Sequence, residues 1–291
     1  MKLTDLHCDT LYRMAKENLT IDDHSLHIHR RTIDAFDDVW QVFALWSDRR
    51  VDDHTAWVEL KERYALLKSL SLPSHLTPLL AVEDARLLEG DLTRLCELKA
   101  MGFLMLGFFW SGENQLGTAH DCPHRGGLTS FGYQVLQNCF SLGICPDISH
   151  ASFDSAEDMI RLAEAQKMPL CASHSAFFGV HPHTRNITDE HAKRVAQLGG
   201  AVGLCFVPAH LGDTGLEKVA AHIRHGVSLV GEEGLCLGCD FDGTDHLPLP
   251  IENQAHLLHL ADYLQKEGFS PRQIDLLFWR NGRRFLAPFL S

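Results

Sequence analysis

LTDLHCDTLYRM, residues 3–14, begins as a short apolar strand and then breaks into polar side chains. Leu3 and Leu6 suit a core, whereas His7 and Asp9 do not. In a strand, side chains two positions apart share a face. His7 and Asp9 are therefore expected to project together where the strand runs out. An imidazole nitrogen and a carboxylate oxygen aimed at one point form a metal-ligand pair. In isolation the same residues also describe an Asx-type turn beside a hydrogen-bonded histidine, so the rest of the chain has to decide.

Seven further apolar runs repeat the theme: QVFALW (41–46), LTPLLAVE (76–83), FLMLGFFW (103–110), ICPDIS (144–149), PLCAS (169–173), AVGLCFV (201–207) and LCLGCD (235–240). Between them, apolar positions at helical spacing predict helices over 54–70, 129–142, 154–166, 188–198, 214–230, 252–266 and 270–287. Asp154 with Glu157 three residues later reads as an N-cap and capping box, and Thr188 opens the next helix. Strand–helix alternation of this kind implies parallel strands joined by crossover helices. Eight units in 291 residues predict an α/β fold of (β/α)8, TIM-like barrel type, as a single domain over 1–291. An open doubly wound sheet is the other arrangement, but no GxGxxG follows the first run. Residues 111–128, SGENQLGTAHDCPHRGGL, form a long polar loop after the fourth run, and long loops tend to be functional.

The chain is 45% hydrophobic and 22% charged, with a net charge of −12. That composition supports a large core and gives no basic face for nucleic acid. Nine cysteines cannot all pair within the chain, and Cys236 and Cys239 of the one CxxC fall in an apolar run, where they read as buried thiols on opposite faces. The start, MKLTDLHCDT, has no charged segment leading into an apolar one. No apolar run reaches the roughly 18 residues of a membrane span. The expectation is a cytoplasmic chain with reduced cysteines that touches neither membrane nor nucleic acid.

Barrel enzymes of this kind place their active sites at the C-terminal ends of the strands. The first run ends at His7 and Asp9, the third at Glu83, the fifth at His150, the sixth at His174 and the eighth at Asp240. Singly, each has an ordinary explanation as a cap or a hydrogen-bonded core residue. Together, buried imidazoles and carboxylates at one end carry a heavy desolvation and repulsion cost without cations. Two divalent ions resolve it, with His7 and Asp9 at one, His150 and His174 at the other, and Glu83 bridging. Such a pair can share a hydroxide and polarise a carbonyl. Asp240 then handles the proton, and the Arg185 fork suits a substrate carboxylate.

At this point the motifs resemble, in order, the membrane (renal) dipeptidase family of binuclear zinc peptidases: DLHCDTL (5–11), AVED (81–84), DISHAS (147–152), ASHSA (172–176), TRNITDE (184–190) and GCDFDG (238–243). The resemblance, to a soluble bacterial-type member, implies two zinc ions per chain. It implies His7, Asp9 and Glu83 on one ion and Glu83, His150 and His174 on the other. Arg185 would bind the terminal carboxylate and Asp240 would act as acid/base on the bridging water. It also implies a small dipeptide substrate, including dipeptides with a C-terminal D-residue, and leaves open a homodimer. Two departures stand out. Glu83 is followed by Asp84-Ala85 where the family often has Gly-Gly, and Trp110 stands where some members carry a substrate-contacting histidine. His120 and His124, in the following loop, are the nearest substitutes. The competing chemistry on the same barrel is an amidohydrolase or deaminase of another small amide. Those enzymes usually carry H-x-H on strand one and a lysine ending strand four, and this chain has neither.

Overall fold

The computed structural model describes residues 1–290, so Ser291, the last residue of the expected domain, lies outside the described residues. Eight strands close into a parallel barrel in the order β1-β2-β3-β4-β7-β8-β9-β10. They are β1 (Lys2–Cys8), β2 (Asp38–Leu45), β3 (Leu76–Val82), β4 (Phe103–Gly107), β7 (Cys145–Asp147), β8 (Cys171–Ser175), β9 (Ala201–Leu204) and β10 (Leu235–Leu237). Two further short strands, β5 (Glu113–Asn114) and β6 (Gly117–Thr118), form an antiparallel hairpin inside the stretch expected to be a plain loop. The barrel, and not the open sheet, is what the chain adopts.

Leu6, Val42, Leu79, Met105, Cys145, Cys171 and Cys236 fill the interior, and Phe285, Leu286 and Phe289 of the last turns pack onto them. A larger apolar layer, Cys239 included, lies between the strands and the surrounding helices. All nine cysteines are free, and Cys236 and Cys239 are both buried. The end of the barrel plugged by Phe285 and Phe289 is thus apolar, while the opposite end, where the strands finish, carries the polar side chains. Among the described residues, no helix is long and apolar enough to cross a membrane.

Two departures from strict pleating matter for the site. Asp5 and Cys8 of β1 face Gln41 and Phe43 of β2, so three steps on one strand match two on the other. Ala172 and Ser175 of β8 face Val202 and Leu204 of β9 in the same way. Each is a one-residue bulge, and a bulge re-aims side chains that regular alternation would send outward. His7 lies in the first and His174 in the second.

Several expected boundaries move. The helix Phe153–Gln166 is capped by Ser152, whose side chain accepts from Ser155 N. The expected cap, Asp154, sits in the first turn, where its charge suits the helix dipole. Glu157 is not a capping-box partner and pairs with Arg161, Arg194 and His191. Helices Thr10–Glu17 and Thr93–Met101 are additional to those expected. The first begins directly after Asp9 with no turn sequence to announce it. His174 lies within β8, whereas His150 and Asp240 come three residues after β7 and β10 end. Both have positive φ, 66° and 64°, in the left-handed region that costs a non-glycine residue about 1–3 kcal/mol.

Candidate metal centre

His7, Asp9, Glu83, His150, His174 and Asp240 meet at the polar end of the barrel. His7 Nε2 lies 3.3 Å from Asp9 Oδ2, 3.5 Å from Glu83 Oε2 and 3.8 Å from Asp240 Oδ1. The other oxygen, Glu83 Oε1, lies 2.9 Å from His150 Nε2 and 3.5 Å from His174 Nε2. One carboxylate therefore faces His7 with one oxygen and the His150–His174 pair with the other. Donor atoms 2.9–3.5 Å apart have the separations expected around an ion with bonds of about 2 Å.

Two of the three imidazoles are in the neutral state a metal ligand needs, and the crowded carboxylates carry repulsion that a cation would relieve. Burial, with the charges of Arg185 and His7, pushes the His150 and His174 imidazoles well below their ordinary range, so both are neutral. Burial also lowers His7, but Glu83 and Asp9 more than offset it and hold that imidazole high. Burial, then repulsion from Asp9 and Glu83, raises the Asp240 carboxyl well above the carboxylate range, although His7 opposes it. Burial and Glu83 also raise the Asp9 carboxyl above its ordinary value. Buried Asp9 Oδ1 and His150 Nδ1 have no hydrogen-bond partner among the described residues. Crowded carboxylates, neutral imidazoles and orphaned polar atoms are what a divalent ion would satisfy.

The supporting hydrogen bonds explain the aim of these groups. Asp147 Oδ1 accepts from Ser149 N and Ser173 N, both at 2.9 Å, and Asp147 Oδ2 accepts from the Ser173 hydroxyl. Ser173 Oγ, 2.8 Å from His174 Nδ1, has thereby committed its hydrogen to Asp147. It accepts from Nδ1–H, which leaves the His174 Nε2 lone pair directed at Glu83 and His150. Asp5 Oδ1 accepts from His7 N and Cys239 N, tying β1 to the chain after β10. Asp242 accepts from Thr10 Oγ1 at 2.6 Å and His27 N at 2.7 Å and so anchors the loops behind the site. Gly243 leaves room for both carboxylates: a Cβ there would lie 2.2 Å from Asp240 Oδ1 and 2.3 Å from Asp9 Oδ2, so both would have to move.

Arg185 is buried at the edge of the centre. Nη1 donates to Ser175 Oγ and Nη2 to the His174 carbonyl, leaving one hydrogen on each and the Nε–H. Trp110 packs on Trp46, with ring centroids 4.8 Å apart, and stands 6.5 Å from the His150 ring, outside the cavity that Arg185 lines. Of its two loop substitutes, His120 lies 5.8 Å from His150 and lines that cavity. His124 is instead beside Glu113 and Cys122 in an exposed loop. Asp84 turns away from the centre toward Asn114 and Arg86.

Sequence reading passed over Asp147, Ser173, Asp5 and Asp242. Asp5 carried a signal, standing two positions before His7, and Asp147 likewise stands two before Ser149. Asp242 carried a misleading one. It lies two positions after Asp240, but both have positive φ, so strand alternation does not relate them.

The sequence profile of the membrane dipeptidase family, peptidase family M19, matches residues 11–288. An uncharacterized protein in the pqqA 5′ region of Klebsiella pneumoniae is 31% identical over 218 residues, 70% of this chain and 79% of the relative. Dipeptidase aclJ of Aspergillus oryzae is 25% identical over 205 residues, 68% of this chain, and the match spans about half (48%) of that relative's length. In fold, the chain is similar to the dipeptidase AC, a metallopeptidase of family M19, with a TM-score of 0.88 at 22% identity over 100% of this chain and 99% of the other. A metallopeptidase from Rhodobacter sphaeroides, liganded with a phosphinate mimic of the dipeptide L-Ala-D-Ala, gives 0.84 at 21% identity over 99% of both chains. The chain described here belongs to the membrane dipeptidase family.

Proposed function

We propose that the protein hydrolyses the peptide bond of dipeptides, including those ending in a D-residue. In this reading His7, Asp9, Glu83, His150 and His174 hold two divalent cations, zinc by the family resemblance. The observation that carries it is Glu83, one oxygen of which lies 3.5 Å from His7 and the other 2.9 Å from His150, within one cluster in which the His7 and His174 rings stack 3.7 Å apart. Bound there, such ions supply Lewis acidity, acidifying water and polarising a carbonyl.

The chain's own residues do the rest. Arg185 offers its remaining N–H groups to the substrate's α-carboxylate. Asp240, beside His7, takes the proton from the attacking water as its oxygen bonds to the carbonyl carbon. Asp240 then delivers that proton to the departing nitrogen as the C–N bond breaks. Its upward-shifted carboxyl holds a proton readily, which suits delivery to the departing nitrogen. Trp110 would wall the centre beside His150. The L-Ala-D-Ala mimic held by the Rhodobacter sphaeroides relative supports D-residues as substrates, and nine free cysteines support a reducing, cytoplasmic setting.

The test is metal content per chain together with hydrolysis of L-Ala-L-Ala and L-Ala-D-Ala by the wild type, Glu83→Ala and His174→Ala. Two zinc ions and activity lost in both variants are expected. Failure to bind zinc under any loading condition would overturn the reading. So would two bound ions with neither dipeptide cleaved.

A further inference from the structure

Next to the candidate centre lies a cavity of about 310 Å³ that touches His150 and Arg185. Its other walls include Ile148, Phe153, Phe178 and Ile187, together with the uncharged polar residues Thr184, Asn186 and Thr188. No carboxylate lines it among the described residues. Ile148 and Ile187 are buried, but Phe153 and Phe178 are 55% and 43% exposed. Both aromatics are held by ordered structure. Phe153 stacks on His191 with ring centroids 4.8 Å apart, and Phe178 N donates to Ile187 O at 2.9 Å. Fixed apolar surface open to water at the edge of a cavity with one cationic anchor is the composition of a small-ligand site.

We propose that this cavity receives the side chain of the dipeptide's second residue and selects a bulky apolar one, of leucine or phenylalanine type. The inference rests on the dipeptidase reading of the same site. A carboxylate on Arg185 sets the second residue's α-carbon at the cavity wall. From there an apolar side chain covers Phe153 and Phe178, removing their surface and its own from water. A basic side chain would meet the Arg185 guanidinium with no acid on the cavity wall to pair with. An acidic side chain would compete with the α-carboxylate for the one guanidinium and pull the scissile bond out of place. The volume is at the low end for ligand sites, enough for one residue and not for a longer tail.

The test uses the zinc-loaded full chain and four substrates: L-Ala-L-Ala, L-Ala-L-Phe, L-Ala-L-Asp and L-Ala-L-Lys. The expected kcat/KM is roughly 10- to 100-fold higher for L-Ala-L-Phe than for the other three, the scale of apolar pocket discrimination. Phe153→Ala and Phe178→Ala, both at partly exposed positions that tolerate truncation, should each shrink the Phe-to-Ala ratio several-fold. Calorimetric titration with N-acetyl-L-Phe, N-acetyl-L-Ala and N-acetyl-L-Lys gives a second readout that needs no turnover, and N-acetyl-L-Phe should bind most tightly. Equal rates on L-Ala-L-Phe and L-Ala-L-Lys, or a ratio unmoved in both variants, overturn the pocket assignment while leaving a dipeptidase. Preferential binding of N-acetyl-L-Phe without hydrolysis of any dipeptide leaves the pocket and overturns the reaction.

Discussion

Replacing Ser173 with alanine should weaken metal binding without touching a ligand. The Ser173 hydroxyl passes its hydrogen to Asp147 and accepts from His174 Nδ1 at 2.8 Å, fixing which nitrogen of that ring carries the proton. Without it, the ring is free to adopt the other tautomer, and Asp147 Oδ2 loses its donor in a buried setting. A hydrogen bond in a chain ending on a carboxylate is worth about 1.5–3 kcal/mol. At about 1.4 kcal/mol per decade, that is roughly a 10- to 100-fold loss of affinity, the range typical of residues that orient metal-binding histidines. The assay is zinc competition against a chromophoric chelator, with Ser149→Ala as control. Ser149 Oγ accepts from the His174 backbone N at 3.1 Å and lies 3.4 Å from Ser173 Oγ, one hydrogen bond further from the ring. One of the two ions should weaken in Ser173→Ala, and neither by more than a few-fold in Ser149→Ala. Wild-type affinity for both ions, accompanied only by a lower melting temperature, would refute the reasoning and make the Asp147–Ser173–His174 chain a packing feature.

Gly243→Ala should abolish most activity while leaving the circular dichroism spectrum intact, because the new methyl would displace both Asp240 and Asp9; a variant with near-normal kcat would show that neither carboxylate needs its position. Arg185→Met should raise KM for L-Ala-L-Ala by roughly 10-fold or more, consistent with loss of a charge-assisted pair, and should matter far less for the corresponding dipeptide amide; equal losses on both would remove the carboxylate from the Arg185 assignment. Acid stability should depend on His222, which is buried, accepts from Phe177 N through Nδ1 and bonds Leu211 O through Nε2. Burial lowers its pKa to about 4 from the ordinary 6.5. A base depressed on folding contributes stability that is complete above its unfolded pKa and is lost as pH falls through 6.5 toward 4, here up to about 3 kcal/mol. Urea midpoints between pH 7.5 and 4 should therefore fall more steeply in the wild type than in His222→Gln, and parallel slopes would count against it.

The site residues are legible in the sequence because they are anomalies: a histidine or carboxylate ending an apolar run has no packing reason to be there. The barrel is legible from the alternation of such runs with amphipathic stretches. What stays hidden is geometry that depends on neighbours. His7 and Leu6 both turn toward the barrel axis, which strict alternation forbids, and the cause is the mismatch in pairing between β1 and β2. No single strand's sequence records such a mismatch. Ser152 capping in place of Asp154 is a choice between two good caps two residues apart, settled by the extended backbone at Ser152. Asp147 and Ser173 look like ordinary polar residues until two strands 26 positions apart lie side by side.

The last seam of the barrel has a consequence for how the molecule comes into being. β1 pairs with β10, Asp9 N donates to Phe241 O, and Asp240 N donates to His7 O. The first strand synthesised thus waits for the last, its outer edge unpaired until more than two hundred residues have followed. His7 and Asp9 leave the ribosome early, and the partner that completes their surroundings arrives at the end. An amino-terminal fragment that ends before β10 lacks the strand that closes the ring beside His7 and Asp9. Binding at the centre would then report closure of the seam itself. A ligand that prefers the closed ring would draw a late, open folding intermediate forward and shield an exposed strand edge that is otherwise a template for aggregation.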